Sequence, residues 1–157
     1  MQKISPCLWF DTQAEEAAAF YLSIFPNSRI NKVSRYGDGG RMPKGLAMVV
    51  AFTLDGVDFL ALNGGPMFKF SEAVSFSIGC KTQAEVDHYW SKLTSGGGAE
   101  SMCGWLKDKF GVSWQVVPEV LAEMAAGSDP ERVRRMTEAM LKMRKLDIAT
   151  LVGAYNG

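Results

Sequence analysis

Residues 82–85 read Thr82-Gln83-Ala84-Glu85, and residues 12–15 read Thr12-Gln13-Ala14-Glu15. Each copy follows an apolar run, ending at Phe10 in the first case and at Ile78-Gly79-Cys80 in the second. The word has the chemistry of a helix start: the threonine hydroxyl can accept from the amide three residues on, while the glutamate carboxylate returns to the threonine amide. A later echo sets Gly56-Val57-Asp58-Phe59 against Gly111-Val112-Ser113-Trp114, again opening an apolar stretch. Two related halves are too few for a solenoid, which needs three or more stacked units. They predict a pseudo-symmetric domain with a site between the halves.

Working outward, residues 4–10 form a strand-length apolar run that Asp11-Thr12 breaks. A helix from Thr12 to about Phe25 follows, burying Ala17, Phe20, Tyr21 and Ile24 and stopping at Pro26-Asn27. Strands are expected over 29–36, 46–54 and 57–63, with turn chemistry from Gly37 to Gly45. The second half replays the order: a strand over 74–80, a helix opened by Thr82 and Glu85 with Val86, Tyr89, Trp90 and Leu93 on one face, then strands over 100–105 and 112–117. Gly96-Gly97-Gly98 ends that helix. After Pro118 the pattern turns helical, over 119–126 and from Asp129-Pro130 through Met136, Met140 and Met143. Ile148, Leu151, Val152 and Tyr155 continue the apolar stripe.

The fold class that follows is α+β: two tandem β-α-β-β-β modules with a C-terminal helical appendage. We expect a single domain over 1–157, with module 1 at about 1–70, module 2 at about 71–118 and the tail at about 119–157. Seventeen basic residues balance seventeen acidic ones, which leaves no overall field for a polyanion or a membrane surface. The basic run from Arg132 to Lys145 is interleaved with Glu131 and Glu138 and reads as a solvated helix face. Three cysteines without a CxxC or metal-ligand spacing point to a reduced, cytoplasmic setting. The apolar segment after Met1-Gln2-Lys3 is too short for a signal-peptide core, and no stretch has the length of a bilayer span.

Among candidate site residues, strand alternation puts Ser5, Cys7 and Trp9 on one face and Ile4, Leu8 and Phe10 on the other. Cys7 lacks the cationic neighbour that makes a thiolate and is expected to be a packed thiol. Trp9, Trp105 and Trp114, with Phe68 and Phe70, could line a slot for a planar ligand or could be core. Gln115 is polar where its strand reads buried, so its amide needs a partner in protein, water or ligand. His88, the only histidine, is expected on a helix surface, and Asp108 is expected to bond amides within a turn. Asn63-Gly64-Gly65-Pro66 lacks the lysine and helix start of a phosphate cradle and reads as a tight crossover. Nothing has the form of the glycine-rich strand-to-helix loop that would hold S-adenosylmethionine.

Pro6-Cys7-Leu8-Trp9-Phe10-Asp11, Phe20-Tyr21 with Phe25-Pro26-Asn27-Ser28, Leu62-Asn63-Gly64-Gly65-Pro66, Cys103-Gly104-Trp105 and Asp108-Lys109-Phe110-Gly111-Val112-Ser113-Trp114-Gln115 together resemble the PhnB-like family. That family is often labelled 3-demethylubiquinone-9 3-methyltransferase and is a branch of the vicinal-oxygen-chelate superfamily of glyoxalase I, bleomycin-resistance proteins and extradiol dioxygenases. The resemblance runs from residue 1 to about 118. It implies a glyoxalase/bleomycin-resistance-like fold and, in metal-using members, ligands on the first and last strand of each half. Those positions map to Ser5, Ser75, Leu60 and Gln115, with Ala61 replacing Leu60 if the register slips by one. Relatives commonly carry a histidine after the Asn-Gly-Gly-Pro word, where this chain has Met67. Such a set is a poor home for a divalent metal.

These observations lead to a metal-independent small-molecule binding module with no cofactor, its ligand residues drawn from Ser5, Cys7, Trp9, Ser75 and Gln115. The competing readings are an enzyme, by metal-dependent lyase or dioxygenase chemistry or by methyl transfer, and a dimeric scaffold without ligand. A homodimer is expected, with the tail's stripe covering a partner. Neither nucleic acid nor membrane is expected as a partner.

Overall fold

The first unit of the computed structural model, which describes residues 2–157, ends at Phe70, and the second begins at Ser71. In the first unit, β1 (Cys7–Phe10), α1 (Ala14–Leu22), β2 (Arg29–Arg35), β3 (Ala47–Leu54) and β4 (Val57–Asn63) follow one another. The sheet order is β1-β4-β3-β2. β1 and β4 are parallel, and the other neighbours antiparallel. The second unit repeats this with β5 (Ser75–Cys80), α2 (Gln83–Thr94), β6 (Ala99–Glu100), β7 (Trp105–Lys107) and β8 (Ser113–Pro118), in the order β5-β8-β7-β6. Each unit is therefore a β-α-β-β-β module, as the duplicated words imply.

Alternation along the strands sorts the core. Leu8, Phe10, Val50, Phe52, Phe59 and Ala61 are buried in the first unit together with Ala14, Ala17 and Tyr21 of α1, which packs on β3 and β4. Tyr21 stacks on Phe52, and Phe52 on Phe59, with centroids 6.5 and 5.5 Å apart. Each such side chain taken out of water contributes roughly 1.5–3 kcal/mol. In the second unit, α2 buries Val86, Trp90 and Leu93 with Leu106, Trp114 and Val116. β1 begins at Cys7, later than the apolar run suggests, and Ile4 is 83% exposed.

The two helix starts differ although their sequence words are the same. Thr82 caps α2 with the full reciprocal box, its side chain accepting from the Glu85 amide. Thr12 makes no such cap. The α1 N-cap position falls on Gln13, which makes no side-chain cap bond, and the Ala14 amide donates to Asn63 Oδ1 at 2.9 Å. The cause lies in the parallel strand pair. The last partners are Phe10 with Asn63 in the first unit and Cys80 with Pro118 in the second. Where β4 ends in an asparagine, its side chain sits at the helix start. Where β8 ends in a proline, no side-chain acceptor is present and the local box does the capping.

The strand expected over 100–105 is split into β6 and β7. Between them Cys103 and Gly104 adopt left-handed φ of 58° and 84° and donate their amides to the Met143 and Arg144 carbonyls at 2.8 Å each. Those carbonyls belong to the tail, which forms α3 (Glu119–Ala125), α4 (Pro130–Met140) and α5 (Ile148–Asn156). The helix expected to reach Met143 thus stops at Met140, and the segment after it docks on the module. Gln83 completes that docking, donating to the Leu146 carbonyl and accepting from the Ile148 amide. Met124, Met136, Leu146 and Leu151 form a buried cluster backed by Val120, Leu121, Val133, Met140, Met143, Val152 and Tyr155. The apolar stripe of the tail is covered within its own chain. Among the described residues, no helix is long and apolar enough to cross a membrane.

Candidate ligand-binding face

On the side of the second sheet opposite the Leu106, Trp114 and Val116 side chains, the strand register assembles two polar rows. Ser75 pairs with Ser113, which faces Lys107; Ser77 pairs with Gln115, which faces Trp105. Gln115 Nε2 donates across the rows to Ser75 Oγ at 2.9 Å, so two of the residues singled out from sequence meet. The Lys107 ammonium pairs with Glu72. Its hydrogen bond holds the Glu72 carboxyl below the usual carboxylate range, with a backbone hydrogen bond and the lysine charge adding to the effect. Glu72, Ser101, Trp105, Leu106, Lys107 and Ser113 line a cavity of about 280 Å³.

Ser5, Cys7 and Trp9 belong to the first unit. Ser5 precedes β1 and accepts from Gln2 Nε2 at 3.3 Å. Cys7 is exposed, not packed as expected, because it faces away from the α1 side where Leu8 and Phe10 are buried. Desolvation nevertheless raises its pKa, which disfavours the thiolate that a nucleophile needs. Trp9 donates its indole N–H to the Gly65 carbonyl at 2.9 Å and meets Phe68 edge-on at 5.0 Å. Leu60, paired with Cys7, is half-buried, while Ala61 pairs with Leu8 and is buried, so Leu60 holds the position on the Cys7 side. Trp114 does not line a slot: it is 2% exposed and donates to Asp108 Oδ2 at 2.9 Å. His88 is exposed and lies against Tyr89. Cys80 is buried, its pKa raised to about 11 mainly by desolvation.

The words that looked site-like have structural duties. Asn63 bonds Ala14 and, through Nδ2, the Ala47 carbonyl at 3.0 Å. A Cβ on Gly64 would fall 2.3 Å from the Trp9 ring, so only glycine lets that indole close over the turn. Asp108 accepts from the Phe110 and Val112 amides at 2.9 and 3.1 Å, the turn role expected of it. In the tail, Arg134 pairs with Glu131 and Glu138, and Arg132 lies 4.9 Å over the Tyr155 ring. Ser113, Lys107 and Glu72 were not singled out from sequence. Lys107 and Ser113 become visible only through the β7–β8 register, which a three-residue strand does not announce.

Among the described residues, no three His, Cys, Asp or Glu side chains lie together to hold a metal. Two hydroxyls, an aliphatic side chain and an amide stand at the mapped positions Ser5, Ser75, Leu60 and Gln115. These donors do not fit a divalent transition metal.

The profile of the 3-demethylubiquinone-9 3-methyltransferase family matches residues 2–117. The PhnB protein from Bacillus cereus is 37% identical, with a TM-score of 0.69, over 74% of this chain and 99% of its own. The chain belongs to the PhnB-like family. Protein PA1353 from Pseudomonas aeruginosa, 22% identical over 76% of this chain and 98% of its own, shares the fold at a TM-score of 0.64. The fosfomycin resistance protein FosX from Mesorhizobium loti, 13% identical over 81% of this chain and 100% of its own, does so at 0.57. These two neighbours show a shared fold and no more. Among curated proteins, none matches the chain. The family profile stops before α3, so the whole helical tail lies outside the matched span.

Proposed function

We propose that this PhnB-like protein binds a small organic molecule on the polar face of its second sheet without a metal. The observation that carries this reading is the Gln115–Ser75 hydrogen bond: the two mapped positions in this unit form a neutral pair bonded to each other. An amide and a hydroxyl so placed recognise the polar edge of a ligand and neither ligates a divalent ion strongly nor accepts a proton near neutral pH. Methyl transfer, the activity in the family description, gains no support here. α2 is entered from Cys80 through Lys81-Thr82, with no glycine in the strand-to-helix turn. Three free cysteines, one of them exposed, favour a reducing, cytoplasmic setting. A homodimer forms part of the same proposal.

The test is a thermal-shift screen of single-ring aromatic acids, amides and amines in buffer containing EDTA. A rise in Tm that survives EDTA and is lost in Gln115→Leu supports the reading. Stabilisation that appears only after a divalent metal is added, or stoichiometric transition metal in protein purified without chelator, rejects it.

A further inference from the structure

Three features meet at the cavity of the second unit. Ser113 is 2% exposed, lines the cavity, and its hydroxyl has no hydrogen-bond partner among the described residues. A buried polar group left without a partner is rare and destabilising. Directly across the β7–β8 ladder stands Lys107, and two residues from it Trp105 gives a flat, half-buried wall. The third feature is Glu72, whose side chain is 61% exposed and lies in the segment before β5 while its carboxylate rests on Lys107. Lys107 therefore already holds a carboxylate at the edge of the cavity, and it holds it through an exposed ion pair, a weak kind of bond.

We propose that the cavity takes a small aromatic monocarboxylate, an inference that rests on the ligand face proposed above. Its carboxylate displaces Glu72 from Lys107 and accepts from the Ser113 hydroxyl, and its ring lies against Trp105. The exchange leaves one negative charge on the single ammonium and releases Glu72 to water. A dianion would bring more charge than one lysine balances. A volume of about 280 Å³ falls just below the roughly 300–1,000 Å³ of sites for drug-sized ligands, which suits one ring. Ser113 gains the partner it lacks, so binding removes a defect of the ligand-free protein.

Calorimetric titration of the full chain with benzoate, benzamide and benzylamine, in EDTA at neutral pH and low salt, tests the proposal. Benzoate is expected to bind at least about tenfold tighter than benzamide, the size of a charged hydrogen bond. Lys107→Gln should erase that advantage and leave benzamide unaffected, whereas Glu72→Gln should tighten benzoate by removing its competitor. Ser113→Ala should weaken benzoate while raising the Tm of the ligand-free protein. Lys107 and Glu72 are partly exposed, so their variants report on binding in a folded chain. If benzamide or benzylamine binds as well as benzoate, or if Lys107→Gln changes nothing, the anion proposal falls and the ligand face stands. Should none of the three probes bind, both fall.

Discussion

Asn63 joins segments far from it in sequence: it is 1% exposed, caps α1 through Ala14 and holds the Ala47 carbonyl. Asn63→Ala removes a helix cap and strands a buried carbonyl, so equilibrium urea unfolding should show a loss of about 2–4 kcal/mol. Thr82→Ala should cost about 1 kcal/mol. Thr12→Ala should stay within about 0.5 kcal/mol, because an exposed residue without a capping bond has little to lose. Equal losses for the two threonines would sink this account. The comparison also marks a limit of sequence reading. Four identical letters open both helices, yet only one copy is a capping box, since the deciding residue stands 49 positions away from Ala14. Gln115 was legible because a polar side chain in an apolar strand is a local signal, whereas Ser75 was reached only through the positions that the family resemblance maps. Ser113 was not, because serine beside a glycine turn is ordinary until its burial and its missing partner are known.

At the scale of elements, the strand-helix order of both modules could be read from apolar runs and turn residues, and the β7–β8 hairpin from Asp108 and Gly111. The break between β6 and β7 could not. The chain reverses there between antiparallel strands, and the Cys103 and Gly104 amides at the turn donate to the tail carbonyls at 143 and 144, a pairing between segments forty residues apart. Gly104 fixes that break. Its φ is +84°, and an added Cβ would stand 2.8 Å from the Val116 carbonyl oxygen and 3.1 Å from Leu146. Gly104→Ala should therefore cost at least roughly 1–3 kcal/mol, the usual scale of strain for a side chain forced into that region. Gly111, also at positive φ but with open space around its Cβ position, should lose less when changed to alanine. Chemical denaturation of the two variants decides it, and a Gly104→Ala protein as stable as the parent would mean that the tail is not docked through this turn.

At the scale of the whole molecule, the tail's apolar stripe was legible but its partner was not, because periodicity says that a face is buried and not what buries it. Met136, Leu146 and Leu151 are covered by their own helices, so the stripe gives no reason for a second chain. The proposed homodimer rests instead on the edges of the two sheets. β1 and β5 are edge strands, each preceded by an exposed apolar side chain, Ile4 at 83% and Val74 at 68%. Edge strands with unshielded apolar neighbours invite pairing with another chain. A specific interface should bury more than about 1,000 Å² in total, beyond what two such side chains supply alone, so the strand edges must take part. Sedimentation at micromolar concentration should show a species of twice the 17.2 kDa chain mass, and the double substitution Ile4→Lys, Val74→Lys should shift it to monomer without lowering Tm by more than a few degrees. A parent protein that sediments only at the chain mass would reject the dimer, and benzoate binding by that monomer would show the ligand face to be complete within one chain.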